Sequence, residues 1–216
     1  MQIKFLFSFF FAAFFMVQAQ QSNGFYEEVL AIQRKNDVLW DSEKETIVFT
    51  GSSSIRLWND LEERFPDQHI LNSGFGGSQA DDLLIYLNEL VLRHHPKKVV
   101  IYEGDNDIFR KKRPQQIIRV FEEIIQKIWA KNKDTQIILI SVKPSISRWR
   151  LRGKYKRLNK RLKKLANTDT AIQFVNVWDI MLNGNRLNKT LFIEDGLHMN
   201  ALGYDLWYKA LKGHIN

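Results

Sequence analysis

The chain has no cysteine among its 216 residues. This absence excludes disulfides, thiolate metal sites and a cysteine nucleophile, so side-chain packing has to stabilise the fold. A second absence is local, because residues 143–164 contain no Asp or Glu. A third is the lack of a long hydrophobic insertion beyond the N-terminal residues, which disfavours a deep tunnel or a lid for a long acyl chain.

Positive charge is concentrated in the stretch that lacks acids. The formal net charge is +8, and eleven of the Lys and Arg residues fall within residues 143–164. In the rest of the chain after residue 19, acidic residues outnumber basic ones, which disfavours a nucleic-acid-binding function. We expect residues 143–164 either to form an ordinary solvated helix face or to attract an acidic polysaccharide or an anionic membrane surface.

The first 19 residues have the composition of a secretory signal peptide. Lys4 provides a positive start, an apolar run extends from Phe5 to Val17, and Ala19 is a small residue suited to cleavage. An uncleaved anchor is the alternative, although the run is shorter than the roughly 20 residues of a membrane-spanning helix. We therefore predict a secreted or periplasmic protein, cleaved after Ala19, with a single catalytic domain over residues 20–216.

Short apolar runs alternate with helical patterns along the rest of the chain. Strands are predicted at Thr46–Thr50, His69–Asn72, Lys98–Tyr102, Gln136–Val142 and Ile172–Val177. Helices are predicted at Phe25–Trp40, Ile55–Phe65, Ser78–His95, Pro114–Lys131, Lys154–Ala166 and Ala201–Leu211. This alternation favours an α/β fold in which helices cover both faces of a mostly parallel five-stranded sheet, a three-layer α/β/α sandwich.

Four short polar motifs carry the candidate chemistry. They are Gly51–Ser54, Asn72–Gly77, Gly104–Asp107 and Asp195–His198. The first three follow predicted strands, and ligands of parallel sheets bind beyond the carboxyl ends of the strands. A serine, two turns that offer hydrogen-bond donors and an Asp-x-x-His pair are what a serine esterase requires. Each motif alone has an ordinary structural explanation, such as a helix cap for the serines.

In this order and spacing, the four motifs resemble the four sequence blocks of the SGNH, or GDSL-type, esterase and lipase family. The resemblance extends from about Thr46 to Leu211 and implies a flavodoxin-like α/β/α fold. It also implies that Ser53 is the nucleophile, although Ser52 stands where members of the family usually have Asp.

The resemblance assigns the remaining parts of the site. It implies that Gly77 and Asn106 supply oxyanion-hole donors, from a backbone N–H and a side-chain amide. It further implies that His198 is the general base and that Asp195 orients its ring. None of the other four histidines has a carboxylate three residues earlier. The implied reaction is ester hydrolysis through an acyl-enzyme, which requires no cofactor and no metal.

The expected substrates are acetylated or otherwise acylated carbohydrates and other small esters. A lipid esterase, lysophospholipase or thioesterase of the same family is the alternative, and a non-catalytic binder of anionic polysaccharide is an alternative of another class. Lys143, Arg148 and Trp149 follow the fourth predicted strand and are candidate substrate-binding residues. Cations and an aromatic ring at such a loop can hold an anionic or sugar ligand.

Overall fold

The structure, a computed structural model, describes residues 24–215, so the predicted signal peptide and its cleavage site lie outside the described residues. Five parallel strands form the central sheet: β1 (Thr46–Gly51), β2 (His69–Gly74), β3 (Lys98–Tyr102), β4 (Gln136–Ile140) and β5 (Ile172–Val175). Their spatial order is β2-β1-β3-β4-β5, and each neighbouring pair is parallel. The predicted five-stranded parallel sheet is confirmed.

Helices follow the strands, as the alternating pattern predicts. They are α1 (Tyr26–Leu39), α2 (Ser53–Arg56), α3 (Leu61–Arg64), α4 (Ala80–Ile85), α5 (Leu87–Leu90), α6 (Asp105–Phe109), α7 (Pro114–Lys131), α8 (Arg152–Ala166) and α9 (Ala201–Ile215). A small antiparallel hairpin of β6 (Leu182–Asn183) and β7 (Arg186–Leu187) lies between β5 and α9. Among residues 24–215, no helix is both long enough and apolar enough to cross a membrane.

Two predicted helices are broken in the structure. The segment predicted as one helix from Ile55 to Phe65 divides into α2 and α3, because Asn59 and Asp60 interrupt it with side chains that favour turns and caps over helix interiors. The segment from Ser78 to His95 divides into α4, α5 and a short 3-10 turn. The apolar spacing misled the prediction because these successive turns still bury one side against the sheet.

The sheet separates two apolar cores. Alternate strand residues face opposite sides, so Val99 and Ile101 of β3 join one core while Val100 and Tyr102 join the other. Helices α1, α4, α5, α7 and α8 pack in the first core, and α2, α3 and α9 pack in the second. Both faces of the parallel sheet are therefore covered, which makes the fold the three-layer α/β/α sandwich expected from the sequence.

Glycine allows the first motif to lie tightly against β3. Gly51 ends β1 with a φ of 123°, and a Cβ atom there would lie 2.0 Å from the carbonyl oxygen of Tyr102. Only glycine fits this approach and this backbone conformation. Ser52 then donates its backbone N–H to the same Tyr102 oxygen at 3.0 Å. The turn fixes the start of α2, and with it Ser53, at the carboxyl edge of the sheet.

Candidate active site

The four motifs predicted from the sequence meet at one edge of the sheet. Ser53 begins α2 directly after β1, Gly77 lies in the turn after β2, and Asn106 lies in the first turn of α6 after β3. The loop before α9 brings Asp195 and His198 to the same place, since His198 contacts Ser53. Residues that are far apart in the chain therefore come together at the carboxyl edge of the sheet.

Ser53 is the serine of the first motif that faces His198. Its Oγ lies 2.9 Å from His198 Nε2, within hydrogen-bond distance. Ser53 is half-buried, whereas its neighbours Ser52 and Ser54 are only 2% and 3% exposed. The register that the sequence predicts for the first motif is the one in which serine and histidine side chains touch.

Asp195 holds the ring of His198 from the other side. Its Oδ2 lies 2.5 Å from His198 Nδ1, and its Oδ1 accepts the backbone N–H groups of Leu197 at 2.8 Å and His198 at 2.9 Å. Partial burial alone would raise the pKa of the Asp195 carboxyl. The backbone N–H donors of His198 and Leu197, together with the His198 ring, have the larger combined effect, so the pKa is lowered. A charged Asp195 favours the tautomer that carries its proton on Nδ1, which leaves Nε2 to accept from Ser53.

Three N–H groups near Ser53 are available as donors to a substrate. Within residues 24–215, the backbone N–H groups of Ser53 and Gly77 have no hydrogen-bond acceptor. Asn106 Nδ2 donates one of its two hydrogens to the Ser78 carbonyl at 2.9 Å, which leaves the second. The sequence motifs identified Gly77 and Asn106, but the Ser53 N–H was missed. Its position at the first residue of a helix, where N–H groups lack partners, is the signal that identifies it.

The position of Gly77 suits a group that must come close to a substrate. Its φ is 69°, a conformation that favours glycine, and a Cβ atom there would meet nothing within 4 Å. Asp107 fixes the turn that follows, because its carboxylate accepts the backbone N–H of Ala80 at 3.1 Å. The second and third motifs are therefore tied to each other by main-chain and side-chain hydrogen bonds.

A buried acid lies behind these donors. Glu103 is fully buried between β3 and α6, and Ser78 Oγ donates to its Oε1 at 2.6 Å. Burial, with the negative charge of Asp107 adding to it, raises the pKa of Glu103 well above its usual range. Burial therefore favours the neutral form of Glu103 beneath the Gly77–Ser78 turn.

A charged cluster around Asp105 adjoins the site and was not predicted from the sequence. Asp105 is 4% exposed, and its Oδ1 accepts from Arg148 Nη1 and from the Tyr155 hydroxyl, each at 2.7 Å. Lys143 Nζ lies 3.7 Å from Asp105 Oδ2. Burial alone would raise the pKa of Asp105, but the positive charges of Lys143 and Arg148 outweigh it and lower that pKa. The carboxylate is therefore held in its charged form inside the protein.

The three predicted substrate-binding residues occupy different environments. Lys143 has no exposed side-chain surface, and its ammonium donates to the Leu197 carbonyl at 2.6 Å, so its position does not support direct contact with a substrate. Arg148 donates to Asn106 Oδ1 at 3.0 Å. Trp149 is half-buried and stacks on Trp178 with ring centroids 6.3 Å apart. The loop does border the candidate site, as its place after β4 predicts, but two of its cations point inward.

Metal-binding side chains are not grouped in the described part of the chain. Across residues 24–215, no cluster of three or more His, Asp or Glu side chains is arranged to hold a metal ion. That the reaction requires no metal and no cofactor stays a prediction.

Comparison with known proteins gives one family match. The model of the GDSL-like lipase/acylhydrolase family matches residues 44–206, which include all four motifs. The alpha1 subunit of platelet-activating factor acetylhydrolase IB from Bos taurus is 26% identical over 176 residues. That alignment covers 79% of this chain and 75% of the bovine protein.

Two solved structures have the same architecture. A protein from Streptococcus pneumonia, described as a platelet activating factor, has a TM-score of 0.78 and 26% identity over 93% of this chain and 99% of its own. An acylhydrolase from Bacteroides fragilis has a TM-score of 0.72 and 25% identity, covering 85% of this chain and 93% of its own. The chain thus shares its overall fold with these two proteins over most of their length.

Proposed function

Because the chain belongs to the GDSL-like lipase/acylhydrolase family, we propose that it hydrolyses carboxylic esters through an acyl-enzyme formed on Ser53. The observation that carries this proposal is the unbroken chain of contacts from Ser53 Oγ to His198 Nε2, at 2.9 Å, and from His198 Nδ1 to Asp195 Oδ2, at 2.5 Å. A serine, a histidine and a carboxylate in this sequence of contacts suit attack on a carbonyl carbon.

The reaction has two halves. In the first, Ser53 Oγ attacks the ester carbonyl while His198 Nε2 takes the hydroxyl proton, and His198 returns that proton to the departing alcohol as the C–O bond breaks. In the second, His198 takes a proton from water as the water attacks the acyl-enzyme, and it returns that proton to Ser53 Oγ as the acid is released. Asp195 keeps the ring oriented and stabilises the imidazolium that forms in each half.

The negative charge of each tetrahedral intermediate falls on the former carbonyl oxygen. We assign its stabilisation to the backbone N–H groups of Ser53 and Gly77 and to the free hydrogen of the Asn106 amide. All three are fixed before substrate arrives, and donors of this kind act most strongly on charge that appears only in the transition state. Within residues 24–215, two of the three have no competing acceptor in the protein.

Acetyl and other short acyl groups are the proposed acyl part of the substrate. The relative from Bos taurus is named an acetylhydrolase. In the described part of the chain, β1, β2 and β3 pass into α2, α4 and α6 through short turns, with no inserted helical lid. Acylated carbohydrates and other small esters are the proposed substrates, and lipid esters and thioesters are the alternative.

A basic groove at the edge of the sheet favours an acidic carbohydrate as the leaving group. A cavity of about 340 Å³ lies between α8 and the edge strand β5 and is lined by cations and rings, namely Lys156, Lys160, Lys163, Phe174 and Trp178, together with Asn159, Asn176 and Asp179. Asn176 donates to the one carboxylate of the lining, that of Asp179, at 2.6 Å. Among residues 24–215, none of the three lysines has an ion-pair partner. Rings and cations together suit a sugar that carries a negative charge.

A series of contacts connects the groove to the candidate active site. Trp178, in the groove, stacks on Trp149, whose neighbour Arg148 donates to Asn106. Lys156 Nζ also lies 5.9 Å from the centre of the Trp178 ring. β5 lies three strands from β1, about 14 Å at about 4.8 Å per strand, so an acidic chain with its ester at Ser53 would place a more distant sugar in the groove.

Kinetics with a series of esters tests the catalytic proposal. Wild type and Ser53→Ala are compared on acetyl to decanoyl esters of a chromogenic alcohol and on acetylated oligosaccharides. We expect turnover to be fastest on acetyl and to vanish in a folded Ser53→Ala protein. Full activity in Ser53→Ala would overturn the assignment, and a wild type that binds anionic polysaccharide without turnover would favour the non-catalytic alternative.

Charge reversal tests the groove separately. The double variant Lys156→Glu/Lys160→Glu is expected to raise KM for acetylated acidic oligosaccharides and to leave KM for their neutral counterparts unchanged. The matched control, Lys127→Glu/Lys131→Glu, changes the same charge on exposed positions of α7. Equal changes in KM for the two double variants, or a KM that does not depend on salt, would show that the groove does not bind substrate.

Export from the cytoplasm is part of the proposal. Its support is the composition of residues 1–19, which suits a signal peptide cleaved after Ala19. Fractionation of the producing cell, with N-terminal sequencing of the protein, checks it. Intact Met1 in a cytosolic fraction would contradict it.

A further inference from the structure

Asp105 occupies the second position of the third motif, between Gly104 and Asn106, and is buried. A buried carboxylate is costly unless its charge is paired and its oxygens are hydrogen-bonded. Asp105 satisfies both conditions, through Arg148, Lys143 and the Tyr155 hydroxyl. The Tyr102 hydroxyl adds a longer contact, at 3.3 Å to Oδ2. Neither the resemblance nor the chemistry of the proposed reaction assigns a purpose to this arrangement.

One side of the cluster reaches the oxyanion donor. Arg148 Nη1 lies 2.7 Å from Asp105 Oδ1 and 3.0 Å from Asn106 Oδ1, so it bridges the carboxylate and the amide. Rotating the Asn106 amide by half a turn would bring its NH₂ group against the guanidinium and its oxygen against the Ser78 carbonyl. Both contacts would be repulsive, because donor would face donor and acceptor would face acceptor. Arg148 and Ser78 together fix the orientation in which Asn106 Nδ2 is the free donor.

The guanidinium also changes the strength of that donor. Arg148 donates to the Asn106 amide oxygen, and its positive charge draws electron density from the amide. The amide N–H groups become more acidic and better donors, as in other chains of charge-assisted hydrogen bonds. Arg148 is held in place by the Phe109 ring, whose centre lies 4.4 Å from the guanidinium carbon. Its side chain is 11% exposed, so solvent screens the contact only weakly.

The other side of the cluster reaches the loop that carries His198. Lys143 Nζ donates to the carbonyl of Leu197, the residue before His198, at 2.6 Å. Lys143 is fully buried and therefore depends on Asp105 as its counter-charge. The same carboxylate thus anchors one cation that touches the oxyanion donor and another that touches the loop of the general base.

We propose that Asp105 is a positioning residue that fixes the oxyanion donor Asn106, through Arg148, and the His198 loop, through Lys143, in one frame. The proposal rests on the catalytic function proposed above. It gives Arg148 a role that differs from substrate binding: loss of Arg148 lowers kcat, because the donor acts in the transition state, and leaves KM nearly unchanged.

A double-mutant cycle tests the Arg148 arm. We expect Arg148→Ala to lower kcat on an acetyl ester by up to about 100-fold, toward the loss typical of one oxyanion donor, with KM close to wild type. In an Asn106→Ala background, the same Arg148→Ala change is expected to have little further effect, because Arg148 acts through that amide. Added guanidinium ion is expected to restore part of the kcat of Arg148→Ala. Arg157→Ala, an exposed change on α8, is the matched control and should behave as wild type.

Asp105→Asn provides the second variant, because it keeps the shape of the side chain and removes its charge. We expect a fall in kcat larger than that of Arg148→Ala, since both arms weaken, in a protein whose circular dichroism is that of wild type. Three results would overturn the proposal. They are a wild-type kcat in Arg148→Ala, the same fractional loss of kcat from Arg148→Ala in the wild-type and Asn106→Ala backgrounds, and an effect of Arg148→Ala on KM alone. These outcomes are read against Ser53-dependent turnover of the wild type; if that turnover is missing, the proposed function itself fails.

Discussion

Replacing Asn106 with alanine removes one of the three proposed oxyanion donors and leaves the other two intact. Of the two Nδ2 hydrogens, one is used by the Ser78 carbonyl, so the variant takes away a single hydrogen bond to the transition state. Loss of one such donor costs about 2.7–4 kcal/mol, or about 100- to 1000-fold in kcat. KM should change little, because the charge on the oxygen develops only after binding.

The same substitution has a smaller effect on folding. Alanine leaves the Ser78 carbonyl without its amide donor, while Arg148 keeps its contact with Asp105. An unsatisfied buried acceptor costs about 1–2 kcal/mol of unfolding free energy. In a domain of this size, that corresponds to a fall in Tm of roughly 2–8 °C. The variant is therefore expected to be folded and nearly inactive at assay temperature.

Steady-state kinetics on a chromogenic acetyl ester, with Tm measured in the same buffer, separates the two effects. Asn36→Ala is the matched control: Asn36 is fully buried and donates to Ser73 Oγ at 2.8 Å, but it lies on α1 outside the site. It should lose stability and keep kcat. A kcat for Asn106→Ala within about tenfold of wild type would refute the reasoning, because a preorganised donor is worth more than that.

Three further predictions concern stability. Burial, with a contribution from Arg93, lowers the pKa of His94 to about 4, so stability is lost as pH falls from about 6.5, the value in the unfolded chain, toward 4. The loss of unfolding free energy approaches about 3 kcal/mol over this pH range. His94→Phe should flatten that part of a curve of unfolding free energy against pH, and an unchanged slope in the variant would contradict this prediction. Glu103 has a raised pKa, so the folded state keeps a proton that the unfolded chain releases, and stability declines as pH rises above about 4.5 toward the folded pKa. This decline is at most about 1.4 kcal/mol of unfolding free energy per pH unit, and Glu103→Gln should reduce it. Equal slopes of stability against pH for wild type and variant, measured by calorimetry, would exclude this prediction. Gly51→Ala should cost several kcal/mol of unfolding free energy or prevent folding. Gly213→Ala, where a Cβ atom meets nothing within 4 Å, should be tolerated. Similar Tm values for the two variants would be inconsistent with the tight turn at Gly51.

The parts of the molecule that depend on short-range pattern were predictable from the sequence. The strands of the sheet are short segments of four to six residues that contain Ile, Val, Leu or Phe, and each of the first three ends at a motif with glycine, as a tight turn into a helix requires. Ser53, His198 and Asp195 were found because their spacing resembles a known set of blocks, and the structure brings them within hydrogen-bond distance.

What the sequence did not reveal depends on burial and on contacts between distant segments. Lys143 and Arg148 are expected at the surface from their charge alone, and only the fold shows that the carboxylate of Asp105, at the start of α6, pairs with them inside the protein. The basic run was predictable as a solvated face of α8, but the groove requires β5 and Trp178 beside it. Charge pairing between distant segments has no periodicity along the chain, so no sequence pattern indicates it.

Covalent labelling of the nucleophile tests the central claim most directly. The folded protein is treated with a fluorophosphonate, which phosphonylates an activated serine hydroxyl, and the modified peptide is identified by mass spectrometry. We predict one adduct, located on Ser53, that does not form in His198→Ala or after addition of excess acetyl ester. An adduct on Ser52 or Ser54, or no adduct on a protein that turns over acetyl esters, would contradict the assignment of Ser53 as the serine that His198 activates.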